Sequence, residues 1–253
     1  MPDTAPDPSR TAAPAAPLTA ELVPGKRSDP LLPVRRGLTA VGRHLGPKAL
    51  ANLRSVLSYL EIGAWLQQLP ADQQPRAVPQ DVDLFAEAAR RVTGTQPLYL
   101  EFGVYAGRSI RWWSQNLPAP GAHFVGFDSF EGLPEDWRPG TPQGHFATGQ
   151  IPQINDPRVS FVKGWFDETL PGFRVPDHDQ LIVNIDSDLY SSADTVLRWV
   201  EPYLKPGTLL YFDEFADRDH EMRALNEFVA RTGAQVRPIA YARGGIHWLF
   251  EYV

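Results

Sequence analysis

The chain reads as an α/β protein built on a mostly parallel sheet. Three observations predict this. Short apolar runs alternate with helix-patterned stretches from about residue 94 onward. Two of the runs, Gln180–Ile185 (QLIVNI) and Thr208–Phe212 (TLLYF), are apolar almost throughout, as strands covered on both faces are. The last two runs, Val236–Tyr241 and Ile246–Tyr252, follow one another with no helical pattern between them, so the parallel order ends in an antiparallel edge.

Taken in order, residues 1–35 are rich in Pro and Ala, with prolines at 2, 6, 8, 14, 17, 24, 30 and 33. That spacing opposes helices and ladders and predicts a disordered tail. Residues 36–93 predict an N-terminal helical cap. Apolar positions recur on one helical face from Gly37 to Leu69 (Leu53, Val56, Leu57, Leu60, Ile62, Leu66), Pro70 stops the run, and a second helix fits Val82–Arg91. Residues 94–253 form the main domain. Its strands are expected at Pro97–Phe102, His123–Phe127, Val159–Val162, Gln180–Ile185, Thr208–Phe212 and the final pair. Helices are expected from Gly107 onward, over Ser191–Tyr203 and over His220–Arg231.

Composition narrows the function. With 253 residues, 43% of them hydrophobic, the chain can bury one sizeable core. The net charge of −6, without Lys/Arg runs, argues against a nucleic-acid partner. There is no cysteine, which excludes disulfides, thiolate metal sites and a cysteine nucleophile, and fits a cytoplasmic protein. No apolar stretch is long enough to span a membrane, and the N-terminus does not resemble a secretory signal.

Two loops carry a ligand-binding pattern. In Glu101-Phe102-Gly103-Val104-Tyr105-Ala106-Gly107-Arg108-Ser109 an acidic residue ends a strand, and two glycines four apart lead into a helix. Gly103 permits a tight turn and close backbone approach, and the free N–H groups of the helix start suit a carboxylate. The three-glycine dinucleotide fingerprint is absent. Asp128 ends the next strand, one βαβ unit later, where a carboxylate can accept hydrogen bonds from a ribose diol. An ordinary strand-to-helix turn and a loop aspartate are the plainer alternatives.

The order EFGVYAGRS, FDSFEGLP, KGWFDETLP, IDSDLYSS, FDEF resembles the macrocin/mycinamicin-type O-methyltransferases, which methylate sugars of secondary metabolites, and covers roughly residues 95–250. The resemblance implies a Rossmann-like class I methyltransferase fold: a seven-stranded, mostly parallel sheet with an antiparallel C-terminal strand. It implies S-adenosylmethionine as cofactor, a small-molecule acceptor and a homodimer. It sets Glu101, Gly103 and Ser109 near the methionine part, Asp128 on the ribose, and Lys163, Gly164 and Trp165 beside the adenine, with Val104, Gly107, Ser129 and Asp186 also binding the cofactor.

A third constellation is acidic. Asp186 and Asp188 follow one strand, and Asp213 and Glu214 follow its neighbour, so four carboxylates are expected at one sheet edge. Their repulsion calls for protons or a cation, and an oxygen-lined site suits Mg²⁺. By the resemblance, Asp186, Asp213 and Glu214 are the metal ligands and Asp188 is the general base. Glu214 stands where the family pattern has Asp, and its extra methylene alters the reach. His145 is a second candidate catalytic residue, because its long loop, 131–157, holds Trp137, Arg138 and Phe146 and is expected to overhang the acceptor. His247 reads as a packed strand residue. The function expected is S-adenosylmethionine-dependent O-methylation of a hydroxyl. N- or carboxyl-methylation on the same site, and non-catalytic nucleotide binding, are the alternatives.

Overall fold

The computed structural model describes residues 29–253, so the tail expected over 1–28 lies outside the described residues. The helical pattern begins sooner than expected: α1 (Leu32–Gly42) takes in the last residues assigned to the tail. Pro33 sits in its first turn, where proline is tolerated, and Asp29 accepts from Leu31 N–H and Arg35 there. No residue of α1 is buried. The single helical stretch read over 37–69 is broken before α2 (Pro47–Gln68), because Gly46 ahead of Pro47 is extended (ψ 164°).

Residues Gly46–Val253 form one compact unit around an eight-stranded sheet. Its strands are β1 (Arg76–Val78), β2 (Pro97–Phe102), β3 (His123–Asp128), β4 (Val159–Lys163), β5 (Gln180–Ile185), β6 (Leu209–Phe212), β7 (Val236–Ala242) and β8 (His247–Tyr252). They lie in the order β1-β7-β8-β6-β5-β2-β3-β4. All neighbours are parallel except β6/β8 and β7/β8. The mostly parallel α/β fold with its antiparallel hairpin is therefore as read. The eighth strand, β1, pairs parallel with β7 through Ala240–Ala242 and had no signal, since three residues show no alternation.

Successive side chains of each strand feed two cores. Leu98, Leu100, Val183 and Phe212 pack under α6 (Tyr190–Val200) and α7 (Glu221–Thr232), where α2 adds Ile62. Tyr99, Ile182 and Tyr211 pack under α4 (Arg108–Asn116) and α3 (Asp81–Ala89). Thus α3, expected in a cap ahead of the main domain, covers a sheet face through Leu84, Phe85 and Ala88. A further short helix, α5 (Phe166–Thr169), follows β4. Strand order reverses between the neighbours β2 and β5, and the crevice outside their carboxyl ends is where ligands bind in open parallel sheets.

Candidate active site

A cavity of about 700 Å³ opens at that crevice. Its floor is the loop after β2. Gly103 has φ +94°, and a Cβ there would come within 1.7 Å of the Asp186 carbonyl oxygen, so only glycine lets these two loops touch. Asp128 anchors the same loop: Oδ2 accepts from Val104 N–H (2.7 Å) and Tyr105 N–H (2.8 Å), and Oδ1 from Phe130 N–H (2.6 Å). Oδ1, with one donor, keeps a lone pair for a ligand hydroxyl.

Glu101 lies beneath the floor. It is completely buried, accepting from Tyr99 Oη (2.5 Å) and Ser109 Oγ (2.8 Å). Burial raises its pKa to about 7, and those hydrogen bonds offset the rise only in part.

Of the residues singled out from the sequence, Gly103, Asp128, Ser129, Gly164, Trp165, Asp186, Asp188, Asp213 and Glu214 all line this one cavity. Glu101, Val104, Gly107, Ser109, Lys163 and His145 do not. Glu101 and Ser109 support the floor from below, and Val104 and Gly107 form the turn. Lys163 is exposed at the end of β4. His145 is exposed, its ring packed on Phe146 at 4.3 Å.

The far wall is acidic. Asp188 sits in a left-handed conformation (φ 60°). Burial first, and then the charges of Glu214 and Asp213, raise its pKa to about 7. Burial and the neighbouring Asp213 and Asp188 push Asp186 well above the usual carboxylate range. Glu214 is also raised, chiefly by burial. Among the described residues Arg138 is the one basic side chain on the wall. It lies 3.7 Å over the Trp137 ring, and its charge lowers both Asp188 and Glu214.

Asp213 is held from behind. Tyr211 Oη donates to its Oδ1 (3.0 Å), and His247 Nδ1 lies 2.9 Å from the same oxygen. Neither His247 ring nitrogen makes an aligned hydrogen bond, and the contact is an ion pair when His247 is protonated. Burial works against a charged His247, but Asp213 outweighs it and the pKa rises. His247 is thus packed in its strand, as read, and also touches the acidic cluster. The donor chemistry suits a hard cation, yet among the described residues no three His, Cys, Asp or Glu side chains converge as a ligand set. As these side chains stand, they do not fit the expected Mg²⁺.

The 131–157 loop roofs the cavity with Leu133, Trp137, Arg138, Gln143 and Phe146. Leu133 and Trp137 bury against Leu189, and Trp137 Nε1 donates to Asp217 (3.2 Å). Gly132 has φ +86°, and a Cβ there would strike the Gly144 and His145 carbonyls, so the loop closes on itself only through glycine. At the mouth, Phe146 meets Tyr105 edge-on at 5.8 Å. Sequence reasoning passed over Tyr105, Ser191, Ser192 and Thr195 on this wall, and Tyr211 and Glu221 behind it. Tyr105 had a signal in its place inside the glycine loop, and Ser191 and Ser192 in theirs at the end of IDSDLYSS.

Residues 100–215 match the family model described as a methyltransferase domain. It is 31% identical over 172 residues to the 8-demethyl-8-(2,3-dimethoxy-alpha-L-rhamnosyl)-tetracenomycin-C 4'-O-methyltransferase of Streptomyces olivaceus, covering 59% of this chain and 64% of that protein. It is 29% identical over 96 residues to the mycinamicin III 3''-O-methyltransferase of Micromonospora griseorubida, over 37% of this chain and 35% of the relative. The chain thus spans less than two thirds of these relatives. The calicheamicin methyltransferase CalS11 superposes with TM-score 0.53 at 21% identity, over 82% of this chain and 94% of that one. The O-methyltransferase NovP superposes with TM-score 0.54 at 19% identity, over 67% and 78%. Both share the fold.

Proposed function

We propose that the protein is an S-adenosylmethionine-dependent O-methyltransferase, acting on a sugar hydroxyl of a secondary metabolite. The observation that carries this reading is Asp188: a carboxylate with a pKa of about 7, on the wall of the cavity that the glycine loop floors. A general base works best when its pKa lies near the working pH. The activities of the two relatives, both O-methyl transfers, support hydroxyl as the acceptor group.

The donor supplies an activated methyl on a sulfonium sulfur. Gly103 and the turn at Val104 and Gly107 would receive its methionine end, Asp128 and Ser129 its ribose hydroxyls, and Gly164 and Trp165 its base. Glu101 and Ser109 hold that floor rigid from below. Asp188 would take the proton from the acceptor hydroxyl as the oxygen forms its bond to the methyl carbon. The carbon–sulfur bond breaks with its electron pair going to sulfur. Holding the two reactants in line supplies on the order of 7–11 kcal/mol. The roof aromatics exclude water and pack the acceptor. No step is routed through a cation, since the side chains do not gather into a ligand set.

Seven acidic side chains line the cavity (Asp128, Asp167, Glu168, Asp186, Asp188, Asp213 and Glu214) against Arg138. That balance disfavours a carboxylate acceptor, which would meet like charge. We also read the protein as a cytoplasmic homodimer. Its contact would be the stripe of exposed Leu50, Leu53, Leu57 and Leu60 along α2.

The test is calorimetric titration with S-adenosylhomocysteine, followed by a mass-spectrometric screen for a 14-dalton gain on unmethylated deoxysugar and rhamnosyl glycosides. Micromolar binding that Asp128→Ala abolishes, and turnover that Asp188→Asn removes, are expected. Absence of binding would refute the reading.

A further inference from the structure

The turn that carries Asp188 is strained. Its φ is 60°, and Leu189 N–H donates to the Ser187 carbonyl at 2.6 Å, closing a three-residue γ-turn around Asp188. With a positive central φ this is the rare, strained hand of the γ-turn. A non-glycine residue persists in such a conformation only where its surroundings over-determine it.

The groups that hold it come from the start of α7, 30 and more residues away. Glu221 is completely buried. Its Oε1 accepts from Ser187 N–H at 3.4 Å, and its Oε2 accepts from Glu214 N–H at 2.9 Å. The preceding residue, His220, accepts from Tyr190 N–H through Nδ1 at 3.2 Å. The turn is therefore gripped on both sides, at Ser187 and at Tyr190, by consecutive residues of another element. The same carboxylate ties the loop after β5 to the loop after β6.

The chemistry is specific to a carboxylate. Two N–H donors need two acceptor oxygens, and an amide would offer one and turn its own N–H against the other donor. Placing a carboxylate beside Asp188, Asp213 and Glu214 is costly, and a core site with no further task would hold an apolar residue of similar volume. Neither Glu221 nor His220 lines the cavity.

We propose that Glu221, with His220, is a positioning residue that holds the strained γ-turn and so aims Asp188 into the cavity. This rests on the reading of Asp188 as the base.

The experiment is a melting comparison that needs no acceptor. Asp188→Gly and Asp188→Ala both remove the charge and differ in tolerance of a positive φ. With Glu221 in place, Asp188→Gly is expected to melt roughly 2–4 °C above Asp188→Ala. In the Glu221→Ala background the turn relaxes, and that advantage is expected to vanish or reverse, since glycine is otherwise the less stable residue. An equal glycine advantage in both backgrounds, or none with Glu221 present, overturns the proposal. Should Glu221→Ala fail to fold, His220→Ala and Glu221→Gln each release one grip and are expected to shrink the advantage, and an undiminished advantage in both overturns it. Titration of each folded variant with S-adenosylhomocysteine separates the two readings. Wild-type protein that binds none refutes the methyl-transfer function and leaves the melting result intact. A Glu221→Ala protein that loses more than about tenfold in that affinity marks Glu221 as a general structural residue, against the proposal.

Discussion

Replacing Glu101 by Gln should flatten the dependence of stability on pH. An ordinary glutamate loses its proton near 4.5, whereas Glu101 in the folded protein keeps its proton to about 7, because burial disfavours the charge. Below both values the two states are equally protonated and the group has no effect. As pH rises past 4.5 the unfolded chain ionises first and gains relative to the folded one, until Glu101 itself ionises near 7. Stability is therefore lost as pH rises through this window. At ~1.4 kcal/mol per pH unit the full loss is about 3 kcal/mol, of which about 2.5 kcal/mol falls between pH 5 and pH 8. The Gln variant cannot lose it. It gives up one acceptor for Tyr99 or Ser109, but that cost is the same at every pH. The assay is thermal unfolding of ligand-free protein from pH 5 to pH 8. Wild type should lose roughly 5–10 °C more than Glu101→Gln over that range. The raised values of Asp186, Asp188, Glu214, Glu221 and His247 tilt both curves the same way, so only their difference reports Glu101. Parallel curves for the two proteins would refute the reasoning.

Three other outcomes are expected. Asp188→Asn should lower turnover of a hydroxyl acceptor by about 10²–10⁴-fold and leave S-adenosylhomocysteine affinity within about twofold, and an unchanged rate would remove Asp188 as the base. Asp128→Ala should weaken that affinity by at least about tenfold, measured calorimetrically, because it removes the proposed ribose acceptor and frees the Val104 and Tyr105 amides together. Trp137→Ala should unseat the roof: cutting within 131–157 in limited proteolysis should speed up by about tenfold or more, while the sheet resists as before.

Most of the cavity wall was legible in the sequence. Gly103, Asp128, Gly164, Trp165, Asp186, Asp188, Asp213 and Glu214 each end or follow a strand, and in a parallel sheet the carboxyl ends of neighbouring strands must gather at one edge. His145 lies outside the cavity lining, because a loop's composition shows which residues it offers and not which of them face inward. The same limit applies to the Mg²⁺ ligands, whose side chains do not gather into a set among the described residues. Four carboxylates at one edge follow from chain order, but Asp213 Oδ1 is taken up by Tyr211 and His247, which only the packed sheet reveals.

By itself the sequence determined the α/β class, the antiparallel hairpin, the boundaries of β2 and β5 to the residue, and the glycine and acidic loops, because each of these depends on local periodicity or on order along the chain. Tertiary structure alone decided that β1 joins the sheet, that α3 covers one of its faces, that Glu101 lies under the floor, and that Glu221 grips a turn 34 residues away. The physical reason is the same in each case. A three-residue strand has no period, and a buried hydrogen bond between distant residues is specified by the packing that brings them together.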